Sequence, residues 1–253
     1  MMLLNWGSRT PAMSNACDNA EFPAKDEMTI SLLEQRDFSV VLWDWDGVLV
    51  DSGRNFYGAY EMVLREEGIA VTPREIFLRE GEPTPVLLRA IFDRHHVRVD
   101  DDKIKDLVIR RREYDTRVGE RKLFPAVPRL LSRLRRAGCR NGLVTGSSRR
   151  SLQRVLQPEQ TRWFDIIVTA DDVAQGKPNP EPFLRATQVL QADPDSCVVI
   201  ENAPFGIEAA RKAGCAVVAL CSTLSKEDLT HANWVVNNHD ELEMLLFQCA
   251  PAQ

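Results

Sequence analysis

Two kinds of apolar pattern run along this chain and divide it into three stretches. From Ser39 the segment SVVLW is an unbroken apolar run, the pattern of a parallel strand covered on both faces. Comparable runs recur at NGLVT (141–145), FDIIVTA (164–170), CVVIE (197–201), AVVALC (216–221) and NWVV (233–236). Helical patterns separate them. Strands alternating with helices predict an α/β fold, a doubly wound and mostly parallel Rossmann-like sheet whose ligand crevice lies beyond the carboxyl ends of the strands. The alternation is interrupted once, from Gly53 to about Lys122. There Phe56, Tyr60, Val63 and Leu64 keep helical spacing up to Gly68, a natural C-terminal stop, and residues 84–95 and 103–117 also have helical spacing. The interval therefore predicts an inserted helical cap domain, 53–122, with no strand of its own. Leaving the sheet after the first strand, it would sit above that strand's carboxyl end as a lid. The α/β core domain then comprises 39–52 and 123–253. Residues 1–38 mix Asn, Ser, Pro and acidic residues with only a weak helical stretch near Ile30 to Gln35, and are expected to form a mobile N-terminal tail.

Composition narrows the function mainly by exclusion. The 253 residues are 44% hydrophobic and 27% charged, which suits a globular chain with a sizeable core and rules out disorder throughout. A net charge of −5 gives no general attraction for polyanions, so neither nucleic acid nor a membrane surface is an expected partner. Small anions held by a local positive site remain open. The six cysteines, at 17, 139, 197, 215, 221 and 249, show neither C-x-x-C pairs nor the density of a disulfide scaffold. They read as buried thiols in a reducing compartment, and a cytoplasmic location is expected. The longest apolar run, Cys215 to Cys221, is far too short to span a bilayer. A monomer or weak homodimer is the expected state.

The ends of the predicted strands carry the candidate chemistry. The first runs directly into DWDGVLVDS, placing Asp44 at its carboxyl end, Asp46 two residues on, and Gly47 where a ligand needs close backbone approach. Alone, D-x-D-G is equally a turn. GLVTGSS puts Thr145 just past the second strand, where its hydroxyl and the backbone N–H groups from Gly146 onward suit phosphate oxygens, or where Ser147 or Ser148 caps a helix. GKPNPEPF fixes Lys177 between Gly176 and Pro178, and VVIENAPFGIEAA ends a strand with Glu201 and Asn202 before a helix starting near Gly206. Each string has an ordinary structural reading. Four strand ends presenting Asp-x-Asp, Thr, Lys and Glu-Asn in this order are poorly explained by chance.

These ordered strings are also those of the haloacid dehalogenase superfamily of phosphotransferases, which the chain resembles from about Val40 to Leu245. The resemblance implies a Mg2+-dependent phosphohydrolase acting on a small phosphorylated metabolite such as a sugar phosphate, phosphoglycolate or pyrophosphate. It makes Asp44 the nucleophile and Asp46 the acid/base. Thr145 and Lys177, with Gly47 and Gly146, would bind the transferring phosphoryl, and Asp44, Asp46 (through its backbone carbonyl), Glu201 and Asn202 would hold the metal. The chemistry has a physical reason. Phosphate monoester hydrolysis can need acceleration up to ~10²¹, roughly 29 kcal/mol, whereas general acid catalysis supplies only ~10²–10⁴. Cancelling repulsion with cations and splitting one hard step into two through an aspartyl-phosphate address that gap together. An oxygen-only donor set suits Mg2+.

Within the superfamily, TGSS, GKPNPEPF and IENAPFGIEAA look most like the beta-phosphoglucomutase-like branch with its small helical cap. The cap string LREGEPTP falls where that branch carries its specificity loop, making Glu80 and Gly81 candidates to meet substrate; a helix end and turn is the alternative. Mutases of the branch carry a Ser, Arg and Lys-rich loop there for a second phosphate, whereas Glu80, Glu82, Pro83 and Thr84 stand here, which favours hydrolysis over mutase activity. Many relatives have an aspartate where Asn202 stands, leaving open whether Glu201 or Asn202 binds the metal. Arg110 to Arg112 either attracts anions or forms a solvated face. Trp43 is expected in the core and Trp45, between the two aspartates, facing the cap. A signalling receiver also phosphorylates an aspartate beside Thr and Lys, but Asp46 would hasten loss of the phosphoryl it must keep, and receivers lack a lid. A haloacid dehalogenase proper uses one aspartate without metal and leaves Asp46 and Glu201-Asn202 unexplained. A non-catalytic binding protein would fold normally yet show no Mg2+-dependent turnover.

Overall fold

A computed structural model describes residues 38–117 and 121–247 of the chain. In chain order its strands are β1 (Val40–Trp43), β2 (Val50–Asp51), β3 (Lys122–Leu123), β4 (Arg140–Val144), β5 (Ile166–Val168), β6 (Cys197–Glu201), β7 (Ala216–Leu220) and β8 (Trp234–Val236). Its α-helices are α1 (Gly53–Glu66), α2 (Pro73–Phe77), α3 (Thr84–Arg94), α4 (Asp101–Arg117), α5 (Val127–Arg136), α6 (Arg149–Leu152), α7 (Glu181–Leu190), α8 (Pro204–Lys212) and α9 (His239–Phe247).

Six strands form one parallel sheet in the order β5-β4-β1-β6-β7-β8. The order reverses at β1, flanked by β4 and β6, so the crevice expected at the switch point opens over the carboxyl end of β1, at Asp44. Alternation along each strand separates two cores. Val41, Trp43, Val198, Ile200, Val218 and Leu220 pack with Leu130, Leu131 and Leu134 of α5 and Leu242 and Leu246 of α9. Val40, Leu42, Val199 and Val217 pack on the opposite face with Phe183 and Ala186 of α7 and Ile207 and Ala210 of α8. Both faces of β1 are buried, which is why its sequence is apolar without a break. Gly142 on β4 answers to this packing, since a Cβ there would come within 2.6 Å of Leu42.

Between β2 and β3, which pair antiparallel, α1 to α4 bury a third cluster of their own, including Tyr60, Leu64, Ile76, Leu88, Ile91 and Leu107. This two-strand pair is where the chain leaves and rejoins the core. Lys122–Leu123 is therefore a short strand at the edge of an interval expected to hold none. Gly68 follows α1 with φ of +75°, the left-handed stop its glycine predicts. Helix α2 was not foreseen, although Thr72 accepts from the Glu75 backbone N–H and Glu75 answers the Thr72 backbone N–H, a reciprocal cap with Pro73 between them.

Two expectations meet other outcomes. The tail expected over 1–38, including the helical stretch near Ile30 to Gln35, lies outside the described residues except Phe38, which is buried. Trp45 does not face the cap: it is buried in the sheet core with Trp43, Leu49 and Val50. Residues 43 and 45 share a side under period-two alternation, so Trp45 follows Trp43 inward and leaves Asp44 on the other side. Among the described residues no helix is long and apolar enough to cross a membrane.

Candidate active site

Four loops converge on Asp44. Its backbone N–H donates to the Ile200 carbonyl at 3.0 Å, continuing the β1–β6 ladder one residue past the strand and locking the side chain over the sheet edge. Lys177 reaches it from the loop before α7. Its Nζ lies 2.5 Å from Asp44 Oδ1, 2.6 Å from Glu201 Oε1 and 3.2 Å from the Val144 carbonyl. All three ammonium protons are thereby engaged. Direct donation to a bound oxygen would require releasing one of them. Its position beside the Phe183 ring, 5.1 Å to the centroid, adds a second restraint.

Glu201 is engaged on both oxygens. Oε1 accepts from Lys177, and Oε2 accepts from the backbone N–H groups of Asn202 and Ala203 at 2.9 and 3.2 Å, folding the carboxylate over the start of α8. Gly206 makes room for it: a Cβ there would stand 1.8 Å from Glu201 Oε1. Asn202 is fully buried. Its Nδ2 donates to Glu80 Oε2 at 3.1 Å and to Thr223 Oγ1 at 3.0 Å, and its Oδ1 is buried with no partner.

Asp46 accepts a hydrogen bond from Ser147 Oγ at 2.8 Å. Ser148, not Ser147, caps α6 by accepting from the Ser151 backbone N–H. Thr145 Oγ1 accepts from the Ser147 backbone N–H at 2.9 Å, which leaves its own O–H free to donate. Thr145 and Gly146 line the same cavity as Asp44, Asp46 and Lys177, a space of about 620 Å³. Gly47 does not line it. Its φ of +77° and a phantom Cβ 2.2 Å from Asn202 Nδ2 show that glycine is needed there for backbone shape and for Asn202. The cap contributes Glu80, Gly81, Glu82 and Thr84 to the lining, with Tyr60 donating to Thr84 at 3.2 Å. The sequence reading missed Ser147 as the partner of Asp46; of the arginines that line the cavity it raised Arg111 and Arg112, within the run Arg110 to Arg112, but not Arg121, Arg150 or Arg154.

Charge in this cluster is unbalanced. Asp44, Asp46, Glu80 and Glu201 act on one another with Lys177 as the cation bonded among them, an excess of three negative charges within this inner group when all are ionised, while Arg111, Arg112, Arg121, Arg150 and Arg154 line the same cavity. Burial pushes Asp44 up to about 7, opposed by Lys177 and reinforced by Glu201 and Asp46. Burial, with Asp44, Asp46 and Glu201 nearby, holds Glu80 well above the usual carboxylate range. Lys177 is pushed up as well, since Asp44 and Glu201 outweigh its own burial. The paired lysine and aspartate thus move the same way for opposite reasons, because several carboxylates share a single cation.

This donor set fits a hard divalent cation. Among the described residues no three His, Cys, Asp or Glu side chains converge closely enough to hold an ion alone. Mg2+, however, is ordinarily held by one or two carboxylates with water and phosphate oxygens. Asp44 and the orphaned Oδ1 of Asn202 supply oxygens of that kind, and the excess negative charge is what a cation would offset. Glu201, with both oxygens occupied, suits the role of holding Lys177.

Residues 41–220 match the family model described as haloacid dehalogenase-like hydrolase. A phosphorylated carbohydrates phosphatase of Thermotoga maritima is 30% identical over 181 residues, covering 69% of this chain and 81% of that one. The pyrophosphatase PpaX of Bacillus cereus is 26% identical over 192 residues, covering 74% and 84%. Among solved structures, a Bacteroides vulgatus protein provisionally named a beta-phosphoglucomutase superposes with a TM-score of 0.69 at 26% identity, covering 83% of this chain and 91% of that one.

Proposed function

The chain belongs to the haloacid dehalogenase-like hydrolases and is a phosphatase of that family, and from that premise we propose that it releases phosphate from a small phosphorylated metabolite through an aspartyl-phosphate on Asp44. The observation that carries this reading is the bridge of Lys177 between Asp44 and Glu201 at the floor of the cavity. It fixes one carboxylate oxygen of Asp44, a buried group at a strand end, and lowers the repulsion that a phosphate dianion would meet there. The Thr145 hydroxyl and the Gly146 backbone N–H receive the phosphoryl oxygens. Asp44 attacks phosphorus, and the P–O bond to the leaving group breaks. Asp46, oriented by Ser147, gives its proton to the leaving oxygen. The same residue then takes a proton from the water that cleaves the aspartyl-phosphate, returning Asp44 as a carboxylate. Asp44, the Asp46 backbone carbonyl and Asn202 would hold Mg2+, which would supply positive charge to the phosphoryl oxygens. Gly47 serves this arrangement by admitting the Asn202 side chain.

A phosphate-release screen over sugar phosphates, phosphoglycolate, nucleotides and pyrophosphate tests the reading. Turnover of at least one of them, abolished by chelator and restored by Mg2+, is expected; release that ignores both additions contradicts it. Substitution of Glu80, Glu82, Pro83 and Thr84 for a basic cap loop is the reason to place hydrolysis ahead of mutase transfer between two phosphates of a sugar.

Metal binding has its own pH signature. Asp44 titrates near 7, so protons compete with the cation as pH falls through that value. Added Mg2+ is expected to raise the melting temperature clearly above about pH 7 and progressively less below it. A stabilisation unchanged down to about pH 5, or none at any pH, would remove Asp44 from the metal site.

A further inference from the structure

The cavity has a second, cationic region that the phosphoryl chemistry does not use. Arg111 of α4 lies over the Tyr60 ring at 4.7 Å and the Phe56 ring at 5.6 Å from their centroids, two side chains of α1 that themselves meet edge to face at 5.1 Å. The arginine side chain is 14% exposed, and a guanidinium stacked this way is held with little freedom left to lose on binding a ligand. Its nearest carboxylate, Asp115, is 4.0 Å away, at the limit of an ion pair, and is already paired with Arg121. Arg111 Nε is buried without a hydrogen-bond partner, an arrangement that is costly unless something completes it. Its neighbour Arg110 differs: it is spent on Glu66, Glu67 and Asp106. Arg112 of the cap and Arg150 and Arg154 of the core line the same cavity as Arg111 and Asp44. None of those three has an ion-pair partner among the described residues.

We propose that Arg111 is a specificity residue that binds a second anionic group, phosphate or carboxylate, carried by the leaving group of the substrate. The inference deepens the phosphohydrolase reading and rests on it. The substrate class becomes compact phosphate esters or anhydrides with negative charge at both ends, one end meeting Asp44 and Thr145 and the other the arginines. The cap loop around Glu80 and Glu82, acidic rather than basic, leaves this duty to α4.

The test compares phosphoglycolate with 2-hydroxyethyl phosphate, two esters that differ in the distal charge, and pyrophosphate with methyl phosphate, where an anhydride departs more readily than an ester and only the change of the ratio between wild type and variants is read. It is run on the wild type, Arg111→Met and Arg111→Lys. In the ester pair the wild type is expected to favour the doubly anionic member by about tenfold or more in kcat/KM, with the preference shrinking as salt is added. Arg111→Met should lower that ratio by about tenfold to hundredfold, mainly through KM, and Arg111→Lys should recover part of it. An effect confined to pyrophosphate assigns the group to phosphate; one confined to phosphoglycolate assigns it to carboxylate. A wild-type ester ratio near one with the pyrophosphate ratio unchanged in the variants overturns the proposal, as does an Arg111→Met variant that loses both members of each pair equally. If melting shows that Arg111→Met does not fold, the wild-type ratio and its salt dependence decide. Phosphate released from no probe sinks the phosphohydrolase reading itself, whereas release without preference sinks only this inference.

Discussion

Lys177→Met is expected to cost the protein about 3–5 kcal/mol of stability, the usual loss when one partner of a buried charge cluster is removed. Methionine fills much of the lysine's volume, so the loss is one of charge rather than of packing. Asp44 and Glu201, both buried, would be left facing each other without the ammonium that now touches each of them. Against a total of about 5–15 kcal/mol, the effect should be plain in denaturant midpoints. Its pH dependence has a definite sign. Asp44 titrates near 7 in the folded protein against 3.8 for the free side chain. Folding therefore takes up a proton between those values, and this group favours the folded state as pH falls through that window. Without the lysine the aspartate holds its proton to higher pH still, so the deficit should be larger at about pH 8 than at about pH 5. Turnover should fall by about 10²–10³. A methionine variant as stable as the wild type across that range would mean that the lysine's charge is not needed to keep the carboxylates together.

Asp44→Asn should behave in the opposite way. An amide is a poor nucleophile, and phosphate release is expected to drop by at least about 10⁴. The fold should survive, because Lys177 keeps Glu201 and the Val144 carbonyl as partners. The asparagine also removes a buried carboxylate whose ionised form is disfavoured in place. Melting temperature at neutral pH should therefore be unchanged or slightly raised while activity disappears. Loss of activity together with loss of structure would leave Asp44 a structural residue, and retained activity would exclude it as the nucleophile.

The strands that carry the site could be read from the chain because each is buried on both faces, which forces an apolar run ending abruptly at a polar residue. Val40 to Trp43 followed by Asp44 is the clearest case. The pair β2 and β3 could not be read, since two residues per strand show no period. Helix α2 was written in Thr72, Pro73 and Glu75 but is too short for its apolar spacing to stand out. In the cap, the run Arg110 to Arg112 announced charge without saying where it points. Successive residues on a helix are turned by about 100°, so one arginine meets Glu66 and the next stacks on Tyr60. Partners distant in sequence, such as Ser147 for Asp46 or Glu80 for Asn202, are set by how four loops and a cap meet. No local pattern encodes them.

The most direct measurement is chemical trapping of the protein during turnover, by rapid acid quench with a substrate it hydrolyses and mass analysis of its peptides. One phosphoryl group on the peptide carrying Asp44, absent from Asp44→Asn and chased away by further incubation, is the expected result. Steady turnover with no phosphoryl on any peptide, or with one on a residue other than Asp44, would contradict the account.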